Sequence, residues 1–445
     1  MTIGTNYVCN SCGYITLKWM GKCPDCDSWN TLEQMYNNKN SQNKKMPITT
    51  PVPLTELNYE DKQKVRTEIV EVDRVLGGGI FPGASVLLGG NPGIGKSTLM
   101  LQIAYRLAEK LSPVYYLSGE ESPPQILDRC KRLNTLHSNI YISSETNWEI
   151  IENEIDNLNP KVIIVDSIQT IYYPELGSLP GSLKQVKECS SRLVRLTKDQ
   201  EISCFIIGHV TKDGEIAGPK VLEHMVDTVL SFEGEKQHSY RILRSNKNRF
   251  GAMEIGVFEM RNTGLMEVNN PSKFFLNDRT GKESGSCVTA SMEGTRPVLI
   301  EVQSLIGKTN YTTPRRMTTG VDYHRVLLII AVLEKRLNLS LGYHDVFVNV
   351  VGGLKIKEPS VDLAVALSLV SSYQNRTIDK NLIAFGEIGL TGEVRSVTNI
   401  ESRLTESKKM GYKAAVIPPS DTRKHEGMDI IHASNLKEAL SVSLN

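Results

Sequence analysis

Two hydrophobic patterns alternate along this chain. Between about residues 62 and 275, short apolar runs of β character are separated by stretches of helical periodicity. The runs are SVLLGG, VYYLSGE, KVIIVDS, CFIIGHV and a shorter VLSFE. Near-continuous apolar strands alternating with helices predict an α/β domain with a largely parallel sheet. HSYRILRSNKNRF and AMEIGVFEM follow as two strand-like segments close enough to pair as a hairpin. VNNPSKFFLNDRTGKESGS, rich in Asn, Lys, Gly and Ser, then breaks the pattern. Beyond it, strands (PVLIEVQSLIG, DVFVNVV, LIAFGEI) mix with helices (VDYHRVLLIIAVLEKRL, PSVDLAVALSLVSSY, IESRLTESKKMG), an α+β pattern.

At the other end, residues 1–33 form a compact cysteine-bearing module. Residues 34–60 are rich in Asn, Lys, Thr and Pro and read as a linker. The expected organisation is therefore a module at 1–33, a linker at 34–60, an α/β domain at 61–275 and an α+β domain at 285–445.

Composition narrows the class. With 51 basic and 50 acidic residues the net charge is +1, so any nucleic-acid site is a local patch. The longest apolar run, Val326 to Leu333, is far shorter than the roughly 20 residues that span a bilayer. Met1 to Cys12 carry no apolar stretch of signal-peptide type, so the expected location is the cytoplasm, away from any membrane.

The chemistry is concentrated in a few places. Gly90-Asn91-Pro92-Gly93-Ile94-Gly95-Lys96-Ser97, followed by Thr98, fits GxxxxGKS between an apolar strand and a helix-like stretch. Such a loop wraps phosphates with backbone N–H groups; Lys96 is expected to reach the β- and γ-phosphates and the Ser97 hydroxyl to meet Mg²⁺. ATP is the implied substrate. Asp166 ends the run KVIIVD in the Walker B form and is the expected second Mg²⁺-site residue. Glu120 is the candidate for polarising the attacking water, with Glu121 beside it as an open alternative. His209 ends the next strand, either as a sensor of the γ-phosphate or as an ordinary strand-end histidine. Lys247 and Arg249 in KNRFG lie two apart on a predicted strand, so both are expected on one face, within reach of one phosphate group supplied by a neighbouring subunit.

Four of the eight cysteines form Cys9-x-x-Cys12 and Cys23-x-x-Cys26. Two such knuckles can cover opposite edges of a tetrahedron, which predicts a structural Zn²⁺ in a module too small to fold without it.

In this order the pieces resemble the RadA (Sms) family of bacterial DNA-repair proteins. The resemblance covers nearly the whole chain: the four-cysteine finger, VDRVLGGGIFPGASVLLGGNPGIGKSTL, SGEES, VDSIQT, GHVTKDGEIAGPKVLEHMVDTV, KNRFG, EGTRPVLIEVQSLIG, VNVVGGLKIKEPSVDLAVALSLVSS and FGEIGLTGEVRSV. It implies a RecA-like P-loop ATPase core joined to a Lon-protease-like domain and assembled as a homohexameric ring. It also implies a DNA-dependent ATPase that processes recombination intermediates, promoting branch migration and helicase-like heteroduplex extension on single-stranded and branched DNA. The same resemblance gives Lys96, Ser97, Asp166, Lys247 and Arg249 the roles argued above.

Two rival activities are specific enough to test. A Lon-type protease needs a Ser–Lys dyad; Ser360 stands at the nucleophile's place, whereas counting back from Gly411 puts Glu401 at the lysine's, and nothing brings Lys357 to Ser360. A nucleotide-switched DNA scaffold would hydrolyse ATP without translocating. The expected DNA contacts lie after Asp166 and after His209, with Lys184, Lys187, Lys212 and Lys220 as candidates. Arg315 and Arg316 are candidates for duplex contact by the C-terminal domain.

Overall fold

In a computed structural model, residues 6–9, 14–25, 27–35, 53, 55, 63–209, 220–234, 240–276, 279, 283–420 and 425–444 are described. Cys12, Cys26, Lys212 and most of the 34–60 linker lie outside them, as do the side chains of His209 and Lys220.

The elements follow in chain order. Three short strands, β1 (Asn6–Cys9), β2 (Ile15–Thr16) and β3 (Leu32–Met35), come first, then helix α1 (Val70–Val75). The alternating region is β4 (Ser85–Gly90), α2 (Lys96–Ala108), β5 (Val114–Ser118), α3 (Pro123–Leu133), β6 (Ile140–Ser143), α4 (Trp148–Leu158), β7 (Val162–Asp166), α5 (Leu183–Asp199), β8 (Ser203–His209), α6 (Lys220–Met225) and β9 (Thr228–Glu233). Next come β10 (Tyr240–Asn248), β11 (Ile255–Arg261), β12 (Gly264–Glu267) and α7 (Pro271–Leu276). The last region holds β13 (Ser286–Glu293), β14 (Arg296–Lys308), β15 (Arg316–Thr319), α8 (Tyr323–Leu337), β16 (His344–Val350), α9 (Asp362–Gln374), β17 (Leu382–Ala384), β18 (Glu387–Ile388), β19 (Val394–Arg395), α10 (Ile400–Lys409), β20 (Ala414–Ile417), β21 (Asp429–His432) and α11 (Leu436–Ser443).

Internal contacts divide the chain into two compact units, Met1–Glu68 with Gly78–Ser231, and Ile69–Gly77 with Phe232–Asn445. In the first, strands run in the order β9-β4-β8-β7-β5-β6, and β4, β8, β7, β5 and β6 are mutually parallel. Every residue of β4, β5 and β7 is buried, which explains why these strands read as unbroken apolar runs: helices cover both faces. On one face Leu87, Leu117, Ile163 and Ile206 pack against Ile151 and Ile155 of α4 and Val186 and Leu193 of α5. Each such side chain contributes roughly 1.5–3 kcal/mol on burial.

Helix α3 starts where its sequence says it should. Ser122 and Gln125 form a capping box, with Ser122 N donating to Gln125 Oε1 at 2.8 Å, and Pro123 occupies the first turn. This cap fixes where the chain turns after Glu120 and Glu121.

The second unit contains the predicted hairpin: β10 and β11 pair antiparallel with Tyr240 opposite Glu259. The segment read as a break contains helix α7 instead. Phe274 and Phe275 stack edge-on against Tyr240, with centroids 5.8 and 5.7 Å away, so aromatic packing overrides a polar composition. The remaining sheet runs β15-β16-β14-β13-β17-β20-β21. Helix α9 lies against it and is buried from Asp362 to Ser371, as its almost wholly apolar and small-residue sequence requires.

Candidate functional site

The site is built at the carboxyl ends of the parallel strands of the first unit, where the ligands of open α/β sheets bind. Strand β4 ends at Gly90 and the chain loops to α2, which begins at Lys96. Gly93 and Gly95 have φ of 76° and 116°, a left-handed backbone that only glycine adopts without strain, and this aims the following N–H groups into the loop. Asn91, Pro92 and Gly93 are exposed, Ile94 is buried beneath them, and Ser97 and Thr98 are half-buried. Lys96 Nζ donates to the carbonyls of Gly90 (2.8 Å) and Asn91 (3.1 Å). Burial pulls its pKa below the usual lysine range, against the opposing pull of Asp166 and Glu120.

Asp166 ends β7 as a buried carboxylate that accepts from the Tyr116 hydroxyl at 2.9 Å and from the Ser97 hydroxyl. Burial raises its pKa, and those two donors oppose the rise. Register places Ser118 of β5 opposite Asp166, so the residues after Ser118 emerge beside it. A Cβ on Gly119 would lie 1.8 Å from Thr170 Oγ1, so only glycine fits at that step. The next two carboxylates diverge. Glu120 Oε1 accepts from the Ser167 hydroxyl at 2.5 Å and acts electrostatically on both Lys96 and Asp166. Glu121 turns away into an ion pair with Arg129, Nη2 to Oε1 2.5 Å.

The donor set fits a magnesium nucleotide. A hydroxyl and a buried carboxylate adjoin, and a buried ammonium sits at the loop base.

Lys247 and Arg249 lie in the second unit. Strand β10 ends at Asn248, so the alternation that would put both cations on one face does not reach Arg249. Asn248 instead holds a turn: its Nδ2 donates to Val75 O (3.1 Å) and its Oδ1 accepts from Phe250 N (2.9 Å). A Cβ on Gly251 would come within 2.7 Å of the Gly77 Cα. Lys247 is half-buried and Arg249 exposed.

In the cysteine module, antiparallel strands in the order β2-β1-β3 enclose a cluster of Cys9, Cys23 and Leu32, with Tyr7 and Met20 packed against it. Cys9 and Cys23 are 1% and 0% exposed, although their sequence neighbourhood is polar. Two buried thiols at the centre of so small a cluster fit a thiolate metal site better than a hydrophobic core.

The Lon-type reading meets a correction. Glu401, counted into the lysine's place, points elsewhere and binds His425 Nε2 at 2.9 Å. The residue at Ser360 is Arg403, whose Nη1 donates to Ser360 Oγ at 3.0 Å and to Ala290 O, whose Nε donates to Thr398 O at 2.9 Å, and whose Nη2 pairs with Glu358. Arg403 and Ser360 are both 0% exposed. Burial lowers the guanidinium pKa, yet an arginine still cannot serve as a base. Lys357 is exposed. Arg403 shares the buried face of α10 with Leu404 and Ser407.

Arg315, although exposed, and half-buried Arg316 both have partners within the domain. Arg315 makes a two-pronged pair with Asp345 Oδ2 (2.9 and 2.6 Å), and Arg316 donates to the carbonyls of His344 and Leu341.

These features define a RecA-like P-loop ATPase fold carrying a cysteine ribbon at one end and a Lon-like region at the other. Residues 7–34 match the family described as rubredoxin metal binding domain, residues 65–145 the KaiC ATPase family, and residues 321–421 the ChlI subunit of Mg-chelatase. Relatives called "DNA repair protein RadA" match nearly end to end. That of Halalkalibacterium halodurans is 48% identical over 99% of this chain and 98% of its own. Those of Bacillus subtilis and Listeria monocytogenes are each 47% identical with the same coverage. The chain belongs to the RadA family.

Proposed function

We propose that this chain is a DNA-repair ATPase of the cytoplasm that acts as a homohexameric ring on single-stranded and branched DNA, including recombinase–DNA intermediates. ATP turnover drives branch migration and helicase-like heteroduplex extension. The reading takes residues 1–33 as the zinc finger, 34–60 as a linker, 61–275 as the ATPase domain and 285–445 as the Lon-like domain.

The convergence of Lys96, Ser97, Asp166 and Glu120 at one end of the sheet carries this reading. Residues 90–98 cradle the triphosphate through backbone N–H groups, and Lys96 exchanges its two carbonyl partners for phosphate oxygens. Ser97, with Asp166 behind it, would hold Mg²⁺, which would neutralise charge on the phosphates. Glu120, fixed by Ser167, orients water and takes its proton as the oxygen attacks the γ-phosphorus and the bond to the β-phosphate oxygen breaks. Lys247 and Arg249 serve a neighbouring subunit's nucleotide and report its loss. Cys9, Cys12, Cys23 and Cys26 hold Zn²⁺ as a structural ion.

Proteolysis is disfavoured by the guanidinium on Ser360, which leaves the serine without a base. The test is strand displacement on a three-stranded branched substrate with ATP. Extension of the heteroduplex by the protein, lost in Lys96→Ala, supports the motor; DNA-stimulated hydrolysis without displacement would leave only a nucleotide-switched scaffold.

A further inference from the structure

In the second unit, the Arg279 side chain is only 7% exposed, yet among the described residues nothing hydrogen-bonds its Nε or its Nη2. Nη1 is occupied, donating to Lys380 O at 2.8 Å. Nε and Nη2 make up the side-on fork of a guanidinium, the parallel pair of donors that grips a carboxylate. Elsewhere in this chain the same fork holds Asp345 for Arg315 and Glu259 for Arg261. Glu301 lies beside Arg279, but its Oε1 stands 3.7 Å from Nε and accepts instead from the Ser286 hydroxyl. A buried cation whose best donors are unmade is costly, and this marks the fork as a place for a ligand.

Arg279 lines a cavity of about 540 Å³, within the range of small-molecule sites. Its floor is one face of the sheet. Ser304 of β14 meets Ser368 of α9 at 2.7 Å, so Glu301, Gln303 and Leu305 face the other way, into the cavity. Register sets Leu305 beside Phe347 and Phe347 beside Met317, an apolar row with Leu305 66% and Met317 61% exposed. The next row, Gln303, Asn349 and Thr319, is polar and lies about 7 Å along the strands. Among the described residues the charged lining is Arg279 against Glu283 and Glu301. That balance disfavours a phosphate dianion and suits a ligand with one charge of each sign. The protein's own opposite charges stand about as close together as the two charged groups of an α-amino acid. We infer that this cavity binds a free apolar α-amino acid. The carboxylate takes the Arg279 fork, the ammonium faces Glu301 and Glu283, and the side chain lies on Leu305, Phe347 and Met317. This inference does not depend on the DNA-acting reading.

The experiment is saturation-transfer NMR on the full chain with L-phenylalanine as the probe, titrated to an apparent Kd. Phenylalanine should bind. N-acetylphenylalanine lacks the ammonium, phenylalaninamide the carboxylate and glycine the side chain, and each should bind about tenfold more weakly or worse. Arg279→Lys keeps the charge but not the fork and should lose about as much. Leu305→Ser changes only an exposed side chain; it should also weaken binding, with an unchanged thermal midpoint as the control for folding. The absence of transfer to phenylalanine, or unchanged binding in both variants, overturns the site. N-acetylphenylalanine binding as tightly as phenylalanine would make this a pocket for a peptide's carboxyl end and overturn the free amino acid. Displacement of phenylalanine by inorganic phosphate would give the fork to phosphate and overturn it as well.

Discussion

Arg403 donates a hydrogen bond to Ser360 Oγ at 3.0 Å with both residues sealed from solvent. The serine that a Lon-type protease would use as nucleophile is therefore an acceptor beneath a permanent cation. The protein should leave casein intact with ATP present, and Ser360→Ala should not change ATP turnover. Arg403→Ala strands Glu358 and three further acceptors, and should lower unfolding stability by roughly 3 kcal/mol or more, read by denaturant titration. Casein cleavage abolished by Ser360→Ala would contradict this assignment.

The Asp166 carboxyl titrates above the ordinary aspartate value because it is buried, with Ser97 and Tyr116 as partial compensation. In the window between the ordinary and raised values the folded chain holds a proton that the unfolded chain has released. Stability of the nucleotide-free protein should thus fall as pH rises through that window, and Asp166→Asn should flatten the slope. Catalysis needs the ionised form, so kcat/KM should rise over the same window. Tyr116→Phe removes a donor to the carboxylate and should move the acid limb of the pH profile to higher pH; an unmoved limb would show that the limb belongs to another group.

Gly119 separates the strand from Glu120 and has no room for a side chain against Thr170. Gly119→Ala should displace the two and cost about 1–3 kcal/mol. The sharper readout is kinetic: kcat should drop by tenfold or more, about 1.4 kcal/mol, while nucleotide affinity holds, because the P-loop is untouched. Equal losses in both would mean that the substitution disturbs the nucleotide cradle itself.

How much of this was legible in sequence depends on whether the chemistry is local. The P-loop, Asp166 and the hairpin at 240–261 were readable because residue type and element coincide within a few positions. Strand β13 was not, since Thr289 and Ser291 are buried at 0% exposure and blur its period. Helix α7 was hidden in a polar composition because Phe274 and Phe275 are fixed by Tyr240, some thirty positions away. Arg403 was missed because counting along α10 cannot show which of its turns faces Ser360. The separation of Glu120 from Glu121 rests on Ser167 and Arg129, two partners supplied by different elements.

The cysteine module should depend on metal. Metal analysis of the purified protein should give about one zinc per chain, and a strong chelator or Cys9→Ser should release it and expose the cluster around Cys23 and Leu32. Thiol labelling of Cys23 before and after chelation measures this directly; a thiol equally protected in both states would mean that the cluster folds without metal.

In the proposed motor, ATP hydrolysis at Lys96, Asp166 and Glu120 is coupled to DNA. Its most direct test is steady-state ATP turnover by the full chain without DNA, with single-stranded DNA and with branched DNA, beside Lys96→Ala. Turnover should rise severalfold with either DNA and be lost in the variant. Turnover that depends on Lys96 yet is indifferent to both DNAs would contradict it.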